Sequence, residues 1–160
     1  MKLISLAFLT FFFLAGCDNG GAPTALRKPH LSAVDMEMRT DLAGLEKLCN
    51  VPANVQSVKW STGTLGNDWY LVAVFKMRDE WSLSATVVKD DTDKVFVGYK
   101  ELPHWFLDAS SVTFTRTQAP GVFSVDTVVY HPSEYTKSPL LSGFLLNPSD
   151  EMLVMGLHTR

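Results

Sequence analysis

The sequence predicts an α+β fold in a single domain, an antiparallel sheet of about five or six strands with two short helices packed on it. Residues 69–75 are apolar at both alternating positions, as in a central strand that is buried on both faces. The last third of the chain consists of short apolar runs separated by turn residues, which is typical of antiparallel strands. Only 19% of the residues are charged and 46% are hydrophobic, which is typical of a folded domain.

The first helix is predicted to begin near Thr40 or Asp41, because either side chain can cap a first turn. Residues 50–52, which include a proline, end the pattern. Between these limits the apolar residues are spaced as on one face of a helix. They are Leu42, Leu45, Leu48 and Cys49.

A second helix is predicted over residues 79–88. Asp79 and Glu80 would lie in its first turn, where the helix dipole favours acidic side chains. Trp81, Ala85 and Val88 would then share a face. The β-branched residues 86–88 also suit a strand, so both interpretations stay open for that end.

The remaining elements of the first two thirds are strands and loops. Residues 55–60 are predicted as a strand and residues 61–68, with two glycines, as a turn-rich loop. The central strand 69–75 follows, and residues 95–97 form a short strand. Residues 102–107 are expected to be irregular, because Pro103 interrupts regular structure.

The last third is predicted to complete the sheet. Strands are expected over residues 112–117 and 122–130. Two more, residues 140–146 and 152–158, would form a hairpin through the four-residue link 147–150.

The N-terminus carries the most specific pattern in the chain. Lys2 precedes an apolar run over residues 3–14, and small residues lead to Cys17 in Leu14-Ala15-Gly16-Cys17. A cationic start, a short apolar core and small residues before a cleavage point are typical of a secretory signal. The run is shorter than the about 20 apolar residues that a membrane span needs. An uncleaved anchor helix or a buried first helix are the alternatives.

These residues resemble the lipobox of bacterial lipoprotein precursors at every position. The resemblance implies that a diacylglyceryl group is attached to the Cys17 thiol and that cleavage occurs before it. The chain would then comprise a signal peptide (1–16), an acylated cysteine with a flexible tether (17–33) and a globular domain (34–160). The tether contains two prolines and no apolar periodicity.

The residue after the cysteine is Asp18. In lipoproteins of enteric-type bacteria, which this segment resembles, an aspartate at that position retains the protein in the inner membrane. The resemblance therefore implies that Asp18 is a sorting residue and that the domain faces the periplasm from the inner membrane.

The charge of the chain disfavours nucleic-acid binding, and its cysteine content limits disulfide formation. The net charge of −3 becomes −4 when Lys2 leaves with the signal peptide, and no basic block marks a nucleic-acid surface. With Cys17 acylated, Cys49 has no partner for an intrachain disulfide. We expect Cys49 to be a buried apolar thiol, the alternative being a reactive thiol or a link between chains.

No sequence pattern indicates catalysis, a metal or a cofactor. His104 with Asp108, or His131 with Glu134, would place an imidazole near a carboxylate, but catalytic zinc needs three protein ligands. The chain contains no HExxH motif, nucleophile elbow or glycine-rich phosphate loop. We therefore expect a non-enzymatic protein without a cofactor.

Large aromatic side chains near irregular backbone are the candidates for a partner-binding surface, because aromatic residues are common interface anchors. For two of them, Trp105 and Phe106, a place in the core is the alternative. The candidates are Trp60, Trp69, His104, Trp105 and Phe106.

The hypothesis is an envelope lipoprotein that binds another protein, either as an accessory subunit of an envelope machine or as an immunity protein against a toxin. A small-ligand or cell-wall binding module with an apolar cleft under the aromatics is the alternative. A hydrolase is disfavoured by the missing motifs. An exposed aromatic patch would favour the first hypothesis and a concave pocket the second.

Overall fold

The computed structural model describes residues 37–65, 67–78, 81–88, 93–97 and 102–159. All of them belong to one compact unit, Leu31–Arg160. The signal peptide, Cys17, Asp18 and the tether lie outside the described residues. In chain order the elements are α1 (Leu42–Leu45), β1 (Val55–Leu65), β2 (Asp68–Met77), β3 (Lys94–Phe96), α2 (His104–Ser110), β4 (Phe114–Arg116), β5 (Val122–Val125), β6 (Val129–Tyr130), β7 (Ser142–Ser149) and β8 (Met152–His158).

The strands form two antiparallel sheets. The larger has the order β1-β2-β8-β7-β6, and the smaller has the order β3-β5-β4. The prediction of an antiparallel sheet with two short helices is confirmed. The strands are divided between two sheets, however, and the helices span only four and seven residues, so the fold is richer in β structure than the predicted α+β class.

The first face of the larger sheet is covered by α2 and the smaller sheet. From β2 it receives Tyr70, Val72 and Val74, all at most 7% exposed. Phe106 of α2 and Phe123 of β5 pack onto this face and are buried. Fully burying a side chain of this kind contributes about 1.5–3 kcal/mol.

The opposite face of the same sheet is also buried. Leu71, Ala73 and Phe75 of β2 lie there at 0% exposure, and Leu45 of α1 and Leu140 pack against the same cluster. The prediction that residues 69–75 form a central strand is therefore confirmed, and residues 70–75 are buried on both faces, whereas Trp69 is exposed.

Two predicted loops are regular structure. β1 continues to Leu65 instead of ending at residue 60, because β2 supplies main-chain partners along its whole length, up to the pair Leu65↔Asp68. Residues 104–110 form α2, because Pro103 stands immediately before the helix, with φ −58°, and does not interrupt it. A missing N–H costs little there, since the first N–H groups of a helix have no partner within it.

The helix predicted over residues 79–88 is wrong for the part that the structure describes, residues 81–88. Val87 forms a β-bridge with Tyr130, Val88 N–H donates to Val129 O (2.9 Å), and His131 N–H donates to Thr86 O (2.8 Å). The β-branched residues therefore follow their strand preference. Asp79 and Glu80 lie outside the described residues.

Three boundaries also differ from the prediction. α1 is a single turn, and Asp41 precedes it without a side-chain capping bond. The strand predicted over residues 122–130 is divided into β5 and β6. β7 continues to Ser149 through a register shift after Leu146, so the last turn consists of Asp150 and Glu151 and not of four residues.

Candidate functional site

Trp60, one of the predicted partner-binding residues, lies in the core. It is 1% exposed, and its indole Nε1–H donates to Asp41 O at 3.0 Å. The Arg39 guanidinium carbon lies 5.1 Å from the centre of the ring, within cation–π distance. Through these contacts Trp60 links the segment before α1 to β1. Its burial disfavours a direct role in binding a partner.

The three candidates on α2 have different environments. His104 is exposed, Trp105 is partly buried and Phe106 is fully buried. The rings of Trp105 and Phe106 pack edge to face with their centres 5.8 Å apart. Phe106 therefore takes the core alternative, and α2 offers His104 and part of Trp105 to solvent.

Trp69 is 51% exposed and stands at the start of β2. Both main-chain polar groups of Trp69 are hydrogen-bonded to Thr159. The Thr159 N–H donates to Trp69 O (3.1 Å), and Thr159 Oγ1 accepts from the Trp69 N–H (3.2 Å). Thr159 Oγ1–H donates in turn to Asp68 Oδ1 at 3.1 Å. The exposed indole is thus carried on rigid backbone.

Two further exposed apolar residues lie at the same end of the sheet. Phe96 of β3 is 43% exposed, and its ring meets that of His158 edge to face, with centres 5.0 Å apart. Leu141 is 62% exposed, and its N–H donates to His158 O at 3.1 Å. Trp69, Phe96 and Leu141 thus each contact either His158, the last residue of β8, or Thr159, which follows it. We call these three residues the apolar rim.

Sequence reasoning included Trp69 in the candidate set but missed Phe96 and Leu141. Each is a single apolar residue in a short segment, and the three are far apart in the chain. What joins them is the order of the strands, which brings the beginning of β2 and the approach to β7 to either side of the end of β8. No local pattern carries that information.

A cleft of about 480 Å³ opens beside the apolar rim. One wall is formed by Leu141, Ser142, Gly143 and His158. The facing wall is formed by Thr86 and by His131, Pro132, Ser133 and Thr136. We call this cavity the edge cleft, because it lies along the beginning of β7.

The ionisation of His158 bears on the charge of the edge cleft. Burial lowers the pKa of His158, and the negative charge of Asp68 acts in the opposite direction with a smaller effect. A histidine with a lowered pKa is neutral at pH 7. The ring of His158 therefore adds no fixed charge to the cleft at that pH.

Cys49 is a buried thiol, as predicted. It is 1% exposed, and its Sγ–H donates to Leu45 O at 3.8 Å. Burial raises its pKa to about 12, against the smaller opposing effect of Lys137. Because the thiolate is the reactive form, this environment makes Cys49 inert.

The described residues contain no cluster of three or more His, Cys, Asp or Glu that could hold a metal ion. None of the helices in the described part is long and apolar enough to cross a membrane. Comparison of the chain with protein-family models, with curated proteins and with solved structures found no match.

Proposed function

We propose that this protein is a lipoprotein whose single domain binds another protein at the periplasmic face of a membrane. The lipid would be attached at Cys17, and binding would occur through the apolar rim. The observation that supports the binding role most directly is that Trp69, Phe96 and Leu141 all lie at one end of the larger sheet, with 51%, 43% and 62% of their surfaces exposed.

Exposed apolar residues that are scattered singly need no explanation, whereas a connected group marks an interaction site. Trp69, Phe96 and Leu141 come from three different segments, and each is placed next to the end of β8: Trp69 and Leu141 by main-chain hydrogen bonds to Thr159 and His158, and Phe96 by the contact of its ring with that of His158. Tryptophan is among the residues that dominate binding energy at protein interfaces. Because hydrogen bonds to Thr159 hold the backbone of Trp69, ordering that segment on binding costs little entropy.

Of the predicted partner-binding residues the proposed site keeps Trp69, whereas Trp60 and Phe106 belong to the core. A partner of the apolar rim fits both uses considered from the sequence, an accessory subunit of an envelope machine and an immunity protein that blocks a toxin. The small-ligand alternative required an apolar cleft under the aromatics. The edge cleft is lined largely by hydroxyl and imidazole groups, which favours a polar occupant.

Attachment of the domain would depend on the lipid. A single acyl chain gives marginal membrane binding, whereas two or three hold a protein stably. The 16 residues of the tether after Cys17 would span about 20–25 Å as a flexible coil. With Asp18 as sorting residue, the membrane would be the inner one, and the apolar rim would work within a few nanometres of its surface.

Site-specific photo-cross-linking of the full chain in intact cells tests the binding role. A photoreactive phenylalanine analogue replaces Trp69, Phe96 or Leu141 in three separate variants. Matched controls carry the analogue at Lys59 of β1 or at Thr115 of β4, which are exposed and lie on other strands. The expected result is one discrete adduct, with the same protein, at all three rim positions and at neither control.

Adducts of equal yield at rim and control positions would contradict the proposed site, because they would report collisions and not binding. The absence of any adduct at the three rim positions, in a chain that is acylated and membrane-bound, would contradict protein binding through the apolar rim.

A further inference from the structure

β7 is paired unequally along its two sides. On one side β8 pairs with Ser142, Gly143 and Phe144 and continues beyond them. On the other side β6 pairs with β7 at Leu145 and Leu146, and no other strand of the described ranges joins it there. The beginning of β7 therefore lacks an outer neighbour among the described strands, and the edge cleft lies at that position.

The fold itself turns the chain away from this edge. The pairing of β6 with β7 ends at Tyr130, while His131 still donates its N–H to Thr86 O (2.8 Å) on the side away from β7. The next residues turn back and bury Tyr135 in the core cluster on the opposite sheet face. This departure separates the two walls of the edge cleft.

The volume of the edge cleft matches a short extended segment. A strand residue occupies about 3.4 Å along the chain, about 4.8 Å between strands and about 10 Å through the sheet, or roughly 160 Å³. The cleft of about 480 Å³ is therefore large enough for a short extended segment. At the beginning of β7, three consecutive positions, Ser142 to Phe144, are paired by β8 and not by β6.

The chemistry of the walls selects an uncharged occupant. The described residues that line the cleft include no Asp, Glu, Lys or Arg. Serine and threonine hydroxyls both donate and accept hydrogen bonds, as an extended peptide requires. One of these hydroxyls, Thr136 Oγ1, donates to Ser133 O at 3.0 Å and keeps its lone pairs as acceptors. A charged side chain would find no counter-ion among the described lining residues.

We propose that an extended, uncharged segment of the partner protein enters the edge cleft and pairs with β7 at Ser142 to Phe144, antiparallel to it and in line with β6. This mode of recognition rests on the proposed function, because the segment belongs to the protein that the apolar rim binds. Strand addition gives affinity through main-chain hydrogen bonds, while alternate side chains give specificity. Leu141 would contribute to both surfaces, since it belongs to the rim and to the cleft.

The test uses linear nine-residue peptides selected from a displayed library against the full acylated chain in detergent micelles. Selected peptides are synthesised with a single N-methyl group at each position in turn. In a paired strand every second N–H points to the neighbouring strand. Methylation is therefore expected to weaken binding about tenfold at alternate positions of a three-to-five-residue stretch, and little at the positions between them.

Two protein variants locate the binding. Thr86→Trp places a bulky side chain on the outer wall of the edge cleft and is expected to weaken peptide binding at least about tenfold, because the space is filled. Val87→Trp is the matched control, since Val87 is its exposed neighbour and does not line the cleft. Binding by this variant is expected to stay within about twofold of the unmodified protein. Both variants must retain the thermal midpoint of the parent, and Ser133→Trp, on the same wall, replaces Thr86→Trp if that variant is unstable.

Methylation effects without alternation, binding unaffected by both cleft variants, failure to select any peptide, or selection of peptides charged within the paired stretch would each overturn strand addition. Binding of neutral disaccharides such as cellobiose or chitobiose, without peptide binding, would identify a saccharide cleft instead.

If the rim positions cross-link a partner and Thr86→Trp leaves that adduct unchanged, the proposed function stands and strand addition fails. If alternation is found and the rim gives no adduct, the cleft binds peptides but the rim is not the partner's site.

Discussion

The ring of Phe144 lies directly over the Cα of Gly156, its register partner across the β7–β8 pair. A Cβ atom added at Gly156 would fall inside the volume of that ring. Phe144 is 2% exposed and belongs to the core cluster on the first sheet face. The glycine thus makes room for the aromatic ring, and the two residues act as one packing unit.

This pair predicts non-additive changes in stability. Phe144→Ala should lower the free energy of unfolding by about 3–5 kcal/mol, because a buried ring leaves a cavity. Gly156→Ala should lower it by about 1–3 kcal/mol through overpacking against the ring. The double variant should be more stable than the sum of both effects implies, since the new methyl group enters the space the ring has left. Urea unfolding of the unit Leu31–Arg160 measures all three.

Leu145→Ala is the matched control, because Leu145 is equally buried but points to the opposite sheet face. It should destabilise by about 2–5 kcal/mol and combine additively with Gly156→Ala. Additive effects for Phe144 and Gly156 would mean that the two residues do not share the space that the structure gives them.

Cys49 predicts a loss of stability in alkali. Burial raises its pKa from 9.0 to about 12, so the unfolded chain releases the thiol proton at lower pH than the folded chain does. The corresponding stabilisation is complete below pH 9 and is lost as the pH rises from 9 towards 12, with a limiting slope of about 1.4 kcal/mol per pH unit. Unfolding measured between pH 8 and 10.5 should show this slope in the parent and a smaller slope in Cys49→Ala.

His158 predicts a loss of stability in acid. Its pKa in the fold is lowered, first because of burial, so below 6.5 the unfolded chain binds a proton that the folded chain does not. The free energy of unfolding should therefore fall as the pH drops below 6.5, until the lowered pKa is passed. His158→Gln should remove this part of the pH dependence, and His104→Gln, on the exposed surface of α2, serves as control. An identical acid profile in the parent and His158→Gln would contradict the assignment.

The elements that sequence reasoning found are those whose pattern is complete within one segment. Residues 69–75 are apolar at every position, as expected for a short strand between two buried faces. The position of Pro103 was ambiguous, because a proline disrupts a helix interior but is accepted at the beginning of a helix. The sequence shows the strand preference of Thr86 and Val87. Their pairing with residues 129–131 decides between helix and strand, and it depends on a distant part of the chain.

The apolar rim and the edge cleft could not be predicted for the same reason. Trp69 was a candidate because a large aromatic residue near a predicted loop is a common interface anchor. Phe96 and Leu141 become candidates only when the fold places them beside the end of β8. The edge cleft depends on where β6 stops relative to β7, which is a matter of strand length and register. Alternation of apolar and polar residues along a strand predicts which face of the sheet each side chain lies on. It does not predict where the neighbouring strand ends.

The lipobox resemblance predicts the effect of Cys17→Ser. Without the thiol no diacylglyceryl group can be attached, so the precursor should remain uncut or the domain should be mislocalised. Mass spectrometry of the membrane fraction measures the change. Cys49→Ser is the control and should be processed and retained like the parent. A mature chain of unchanged mass and membrane retention in Cys17→Ser would contradict the lipoprotein proposal.

Asp18, the residue after Cys17, predicts which membrane would hold the proposed lipoprotein. If the enteric-type rule applies, the Asp18 carboxylate interacts with phospholipid head groups beside the acyl chains and makes the lipoprotein a poor substrate for sorting to the outer membrane. Asp18→Ser should then move the protein to the outer membrane, and Asp18→Glu tests whether charge alone is sufficient. Density fractionation of the two membranes in an enteric host measures the distribution. Because the acyl chains are unchanged in both variants, total membrane association should stay constant while its division between the membranes shifts. A parent protein that already bands with outer membranes would refute the inner-membrane assignment and leave the lipid anchor at Cys17 unaffected.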